Sequence, residues 1–227
     1  MKLAALFSGG KDSTFAVYDS IKKGHEVKCL VSLLPKNPES YMFHYPNTEF
    51  TKQQAEAMNI PIIIKETLGE KEKELEDMES ALAEAKEKFN VDGVVAGAIA
   101  SEYQRQRVND IAKRLGLMVL TPQWNMDPEK YWNILLDSGF KVMIIGVASD
   151  GLSKEWLGRV IGEAELRKLR ELSQKHRFHL AFEGGEAETF VLDCPLFKRR
   201  IEIKEAEIKW EGDSGFYFFK KIKLVDK

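Results

Sequence analysis

A chain of 227 residues with 44% hydrophobic side chains is long enough for one large domain, or a domain with a smaller appendage, and too apolar for general disorder. Its 34 Lys and Arg nearly balance 36 Asp and Glu, for a net charge of −2, which excludes a broad basic field and makes nucleic acid an unexpected partner. Cys29 and Cys194 are the only cysteines; they form no C-x-x-C pair or His/Cys cluster, so neither a disulfide framework nor structural zinc is expected. No run reaches the ~20 apolar residues of a membrane span, and residues 3–7 are too short for a signal-peptide core, so a cytoplasmic protein without membrane attachment is the expectation.

Taken in chain order, short apolar runs at residues 2–7, 27–34, 60–65, 93–98 and 118–121 read as strands. They alternate with helical patterns at 12–23, 51–58, 70–89 and 102–115. That alternation predicts βαβ units and a parallel sheet. In the third helix Leu75, Met78, Leu82, Ala85 and Phe89 recur at spacings of three and four, so the mixed Glu/Lys remainder reads as a solvated face. Beyond Pro122 the pattern changes. A helix at 128–138 leads to a strand at 141–148, then a helix at 163–176. Strands at 200–210 and 216–225 flank Glu211-Gly212-Asp213-Ser214-Gly215 as an antiparallel hairpin. The expected division is an α/β nucleotide-binding domain over 1–122 and a smaller α+β substrate-binding part over 123–227.

Ser8-Gly9-Gly10-Lys11-Asp12-Ser13 leaves the first strand and opens the first helix. The glycines let backbone N–H groups approach phosphate oxygens, and the helix N-terminus adds positive partial charge there. Ser8 and Ser13 offer hydroxyls. Lys11 would neutralise charge on departing phosphates, and Asp12 would hold Mg²⁺ shared with them. A P-loop would need glycine where Ala5 stands and Ser or Thr where Asp12 stands. The bland reading is a Gly-Gly turn whose Asp12 and Ser13 cap a helix.

Further on, Gly97 ends a predicted strand at the edge where nucleotides bind in open α/β sheets, placing it against adenosine. Arg105 and Arg107 on the next helix would reach phosphate or carboxylate. Alternatively Ser101 and Gln104 form a capping box and the arginines lie in solvent. Glu183, Glu186 and Glu188 surround Gly184-Gly185, either as an acidic patch or as a tight turn with exposed carboxylates. Tyr103, Trp124, Tyr131, Trp132 and Trp156 could present aromatic faces to a cation, or pack as ordinary core. His44 is a loop histidine with a catalytic or an idle reading. Both cysteines read as buried structural residues.

The Ser8–Ser13 hexapeptide resembles the pyrophosphate loop of N-type ATP pyrophosphatases, in the adenine nucleotide alpha-hydrolase superfamily with its Rossmann-like HUP fold. Together with residues 97–108, Trp156-Leu157-Gly158-Arg159 and the 183–197 segment running to Cys194-Pro195-Leu196-Phe197, it resembles the diphthine–ammonia ligase family. The resemblance runs from Met1 to about Phe197, with Gln123 standing where an apolar residue is expected and the tail unmatched. It implies a ligase that uses ATP and Mg²⁺ to adenylate the carboxylate of diphthine on translation elongation factor 2. Ammonia then displaces AMP to give diphthamide. Lys11, Asp12 and Arg105 become the catalytic expectation, Ser8 to Ser13 and Gly97 the ATP site, and Tyr103, Gln104, Arg107, Glu186 and Glu188 the substrate site. The loop alone also admits a tRNA-modifying thiolase or amide-forming enzyme, or a non-catalytic ATP-binding module. A homodimer is expected on base rates.

Overall fold

The computed structural model of the chain describes residues 1–35, 46–68, 71–97 and 102–227, with only the backbone described for 35, 71, 72 and 102–104. The described residues divide into two compact units, Met1–Asn125 and Met126–Lys227.

In the first unit, strands β1 (Lys2–Leu6), β2 (Glu26–Pro35), β3 (Ile62–Thr67), β4 (Gly93–Val95) and β5 (Met118–Leu120) form one parallel sheet in the order β3-β2-β1-β4-β5. Helices α1 (Lys11–Lys22), α2 (Thr51–Met58), α3 (Lys71–Phe89) and α4 (Glu102–Arg114) connect them. The chain builds outward from β1 through β2 to β3, then returns to β1's other side for β4. This reversal opens a crevice at the carboxyl ends of β1 and β4, where such sheets bind ligands.

One face of the sheet is buried by Met78, Ala81, Leu82 and Ala85 of α3 and Val108, Ile111 and Ala112 of α4, packed on Ala4, Cys29, Val31 and Val94. The spacing read from the sequence therefore identifies α3's inner face. Its outer face carries ion pairs, Glu84 with Lys65 and Lys88, and Glu79 with Arg114 of α4. Leu3 and Ala5, equally buried, point to the opposite face by strand alternation, and α1 packs against β1, β2 and β4. A sheet covered on both sides is why its strands read as continuous apolar runs.

The second unit is antiparallel. Helix α5 (Pro128–Asp137) starts with Asp127 accepting from the Lys130 N–H at 2.9 Å and with proline in its first turn. Strand β6 (Lys141–Val147) pairs along its length with β8 (Ala187–Asp193). Its other edge is shared, Val142 and Met143 by β7 (Val160–Ile161), Gly146 and Val147 by β10 (Ser214–Asp226). Helix α6 (Glu163–His176) follows β7, and β9 (Arg199–Glu211) pairs with β10 through the two-residue turn Gly212-Asp213. Tyr131, Trp132, Leu135, Phe140, Ile144, Leu166 and Leu169 are fully buried, and Phe190 meets Phe219 edge-on at 5.0 Å. Strands β7 and β8 were not expected from the sequence; β8 lies in the acidic segment, where turn and charge signals mask its alternation. The first four predicted helices and strands otherwise match to within a few residues, and the strand expected over 93–98 ends at Val95.

Candidate active site

Strand β1 delivers the Ser8–Ser13 loop to the crevice, and the loop is shaped by its own hydroxyls. Ser13 Oγ donates to the Gly10 carbonyl at 3.2 Å and accepts from the Ser8 N–H at 3.2 Å. With its proton committed to a carbonyl, Ser13 is the acceptor in the 3.2 Å contact with Ser8 Oγ. Thr14 Oγ1 adds a second bond to the Gly10 carbonyl at 2.8 Å. No side-chain cap closes the start of α1 among the described residues: Gly10 is the N-cap, and Asp12 does not cap it. A helix cannot pair its first-turn N–H groups internally, which is why a helix start without a side-chain cap suits an anion. Capping is not what this hexapeptide does.

Gly9 has φ +81°, and a Cβ there would collide with Gln54 Oε1 and lie 3.3 Å from Thr51 Cγ2. The cradle is closed from below by α2. Gln54, fully buried, donates to the Gly9 carbonyl at 2.9 Å. Fully buried Ser32 donates to the Phe7 carbonyl just before the loop. Lys11 is 2% exposed and its Nζ lies 2.8 Å from Asp12 Oδ2, whose side chain is 26% exposed. A buried ammonium beside a partly open carboxylate, at a helix start, fits phosphate oxygens and the hard cation that accompanies them.

Gly97, expected against adenosine, also meets a packing requirement. A Cβ on it would overlap the Asp12 carbonyl carbon and lie 2.6 Å from both Asp12 O and Ser13 N. It therefore lets the end of β4 pack on the first turn of α1, with the missing side chain facing protein backbone. Gln123 resolves the anomaly noted at its position. It is fully buried, and its Nε2 donates to the Asp12 carbonyl at 2.9 Å. Next to it, Trp124 has the Arg105 guanidinium 4.5 Å from its ring centroid, so the cation its face meets is this arginine. Arg107 is half-buried on the same helix. Tyr103 and Gln104 belong to the first turn of α4, but their side chains, Ser101 and His44 lie outside the described residues.

In the second unit Glu186 is tied to its own loop. Its Oε1 accepts from the His179 N–H at 2.7 Å and its Oε2 from the Gly184 N–H at 2.8 Å. This fixes a tight turn in which Gly185 has φ +81° and buried Phe182 has φ +64°, held edge-on to Trp132 at 5.9 Å. Glu188 lies on β8 opposite Gly146, whose lack of a side chain accommodates Glu188 Cβ and the Phe216 ring. Glu183 and Glu188 are half-buried. Tyr131, Trp132 and Trp156 are core residues, Trp132 donating to the Leu180 carbonyl at 2.9 Å. Burial pushes the Cys29 and Cys194 thiols up to about 12, which makes both poor nucleophiles.

Sequence reasoning missed Gln54 altogether and gave Gln123 no role. The available signal was a glutamine among apolar neighbours, at 54 on an inward helix face and at 123 beside the end of a strand.

Comparison with known proteins covers nearly the whole chain. The family model for the diphthamide synthase N-terminal domain matches residues 1–119, and that for the diphthamide synthase C-terminal domain matches 127–225. A protein of Danio rerio named diphthine–ammonia ligase is 36% identical over 250 residues, covering 100% of this chain and 98% of that one. Its counterpart of the same name in Homo sapiens is 37% identical over 235 residues, covering 95% and 88%. A solved structure described as a predicted subunit of tRNA methyltransferase from Methanocaldococcus jannaschii covers 86% of this chain and 98% of its own, at 12% identity and TM-score 0.46.

Proposed function

The chain belongs to the diphthamide synthase family and is a ligase, and we propose that it adenylates the carboxylate of diphthine on translation elongation factor 2 and amidates it with ammonia. ATP supplies the AMP group, and pyrophosphate and AMP are the products. A carboxylate oxygen of diphthine attacks the α-phosphorus as the bond to pyrophosphate breaks. Ammonia then adds to the acyl carbon, loses a proton, and expels AMP. The observation that carries this reading is the uncapped start of α1, with Gly9, Gly10 and buried Lys11 gathered at the β1/β4 crevice.

The loop N–H groups and Lys11 stabilise negative charge as pyrophosphate departs, a role for fixed donors that need no rearrangement. Asp12 would hold Mg²⁺ together with the phosphates, and the ion would neutralise the same charge. Arg105, backed by Trp124, is assigned to phosphate or the acyl carboxylate, with Arg107, Tyr103 and Gln104 beside it on α4. Glu188 is assigned to the fixed trimethylammonium charge of diphthine. Glu186 contributes by holding the turn that leads into β8, the strand that carries Glu188. Thiols held near 12 by burial disfavour a sulfur-transferring enzyme.

The test is ligation by purified protein with ATP-Mg²⁺, ammonium and diphthine-bearing elongation factor 2. AMP release and conversion of the carboxylate to an amide, seen by mass, are expected together, and both should vanish without ammonium or in Lys11→Ala. ADP as the product, or AMP with no change in the acceptor, would sink the assignment.

A further inference from the structure

We propose that Gln54 and Gln123 are positioning residues, two buried amides that grip the Ser8–Ser13 loop by its carbonyls and set the direction of the N–H groups offered to phosphate. The proposal rests on the adenylating role assigned to that loop. Gln54 holds the Gly9 carbonyl from α2, and Gln123 holds the Asp12 carbonyl from the segment after β5, each at 2.9 Å. A carbonyl only accepts, so the orientation of both amides is settled by these bonds.

In a trans peptide the carbonyl and the following N–H point opposite ways. Drawing the Gly9 carbonyl onto α2 therefore turns the Gly10 N–H to the other side of the loop. There, among the described residues, it meets Ser8 Oγ at 3.5 Å, a contact long enough for a phosphate oxygen to supersede. Drawing the Asp12 carbonyl toward Gln123 fixes the Ser13 N–H in the same manner.

Stability gives no reason for an amide at position 123. Gln123 is fully buried, and its Oε1 has no donor among the described residues. A buried acceptor left without a partner is destabilising, and a leucine would occupy similar space without that cost. The Asp12 carbonyl would keep a partner, since the helix supplies an N–H four residues on. A residue that breaks the packing rule beside a ligand loop marks function.

The decisive variant is Gln123→Leu in the full-length protein, with Gln123→Met as a second substitution of similar length and Gln54→Leu for the other clamp. Gln123→Leu should unfold at the same or a higher temperature than wild type. Single-turnover AMP formation should nevertheless fall roughly 10- to 100-fold, the usual loss when a support of a catalytic group is removed. The KM for the diphthine-bearing acceptor should stay unchanged. A merely structural glutamine would lower melting temperature and rate together, and that outcome, or rates equal to wild type in all three variants, overturns the proposal. Calorimetric binding of Mg²⁺-pyrophosphate to the same proteins needs no acceptor. Weaker binding in the variants supports the clamp even if the wild type forms no AMP, an outcome that would instead overturn the ligase reading. Equal binding, with no difference in AMP formation, overturns the clamp alone.

Discussion

Lys11 concentrates the charge of the loop in a nearly dry place: its side chain is 3% exposed and its ammonium is balanced by Asp12 at 2.8 Å. In the proposed reaction the phosphates would give this lysine a second set of anions. Removing it in Lys11→Ala should slow AMP formation by about 10²- to 10³-fold, the scale seen for loss of one fixed transition-state donor, read by steady-state AMP release. Gly97 tests a different property. Because a methyl there would overlap the Asp12 backbone, Gly97→Ala should cost about 1–3 kcal/mol in urea denaturation and also shift the loop, lowering activity among the molecules that remain folded. Cys29 and Cys194, with thiols held up to about 12 by burial, stay protonated at pH 8. Neither should react with a thiol reagent in the native protein, and both should react at once after denaturation.

At the scale of elements, the acidic turn and the α3/α4 pair show how charge is used away from the loop. Glu186 satisfies two backbone N–H groups, those of His179 and Gly184. Glu186→Ala should therefore destabilise the protein by about 1–3 kcal/mol, the cost of stranding such donors, and thermal unfolding measures it. On the outer faces of α3 and α4 the Arg114 guanidinium forks onto Glu79 and holds its carboxyl below the usual carboxylate range. The depressed value means that the pair's contribution is present at neutral pH and fades as pH falls through the folded-state value. Melting curves of wild type and Glu79→Gln should differ slightly at pH 7 and converge in acid. This solvated pair is a minor contributor, as exposed ion pairs generally are.

For the whole molecule, binding linkage offers a test that needs no acceptor. ATP-Mg²⁺ present at about 100 times its Kd should stabilise the protein by about 2.7 kcal/mol, raising the melting temperature, and the rise should be lost in Lys11→Ala. The parallel sheet, the four helices around it and the loop at the end of β1 were legible in the sequence because each depends on local periodicity and on turn chemistry a few residues long. The apolar face of α3 and the burial of both cysteines follow from the same local patterns. Strand β8 was not legible, since its partner β6 supplies the pairing that its own charged flanks conceal. The contacts of Gly97, Gln54 and Gln123 were likewise decided by tertiary structure. Each meets the loop from 45 to 111 positions away. Sequence by itself determined what the loop could bind, through glycines, a lysine and a helix start. Only the folded chain decided what holds that loop in place, because a hydrogen bond between residues far apart in sequence leaves no periodic trace along it.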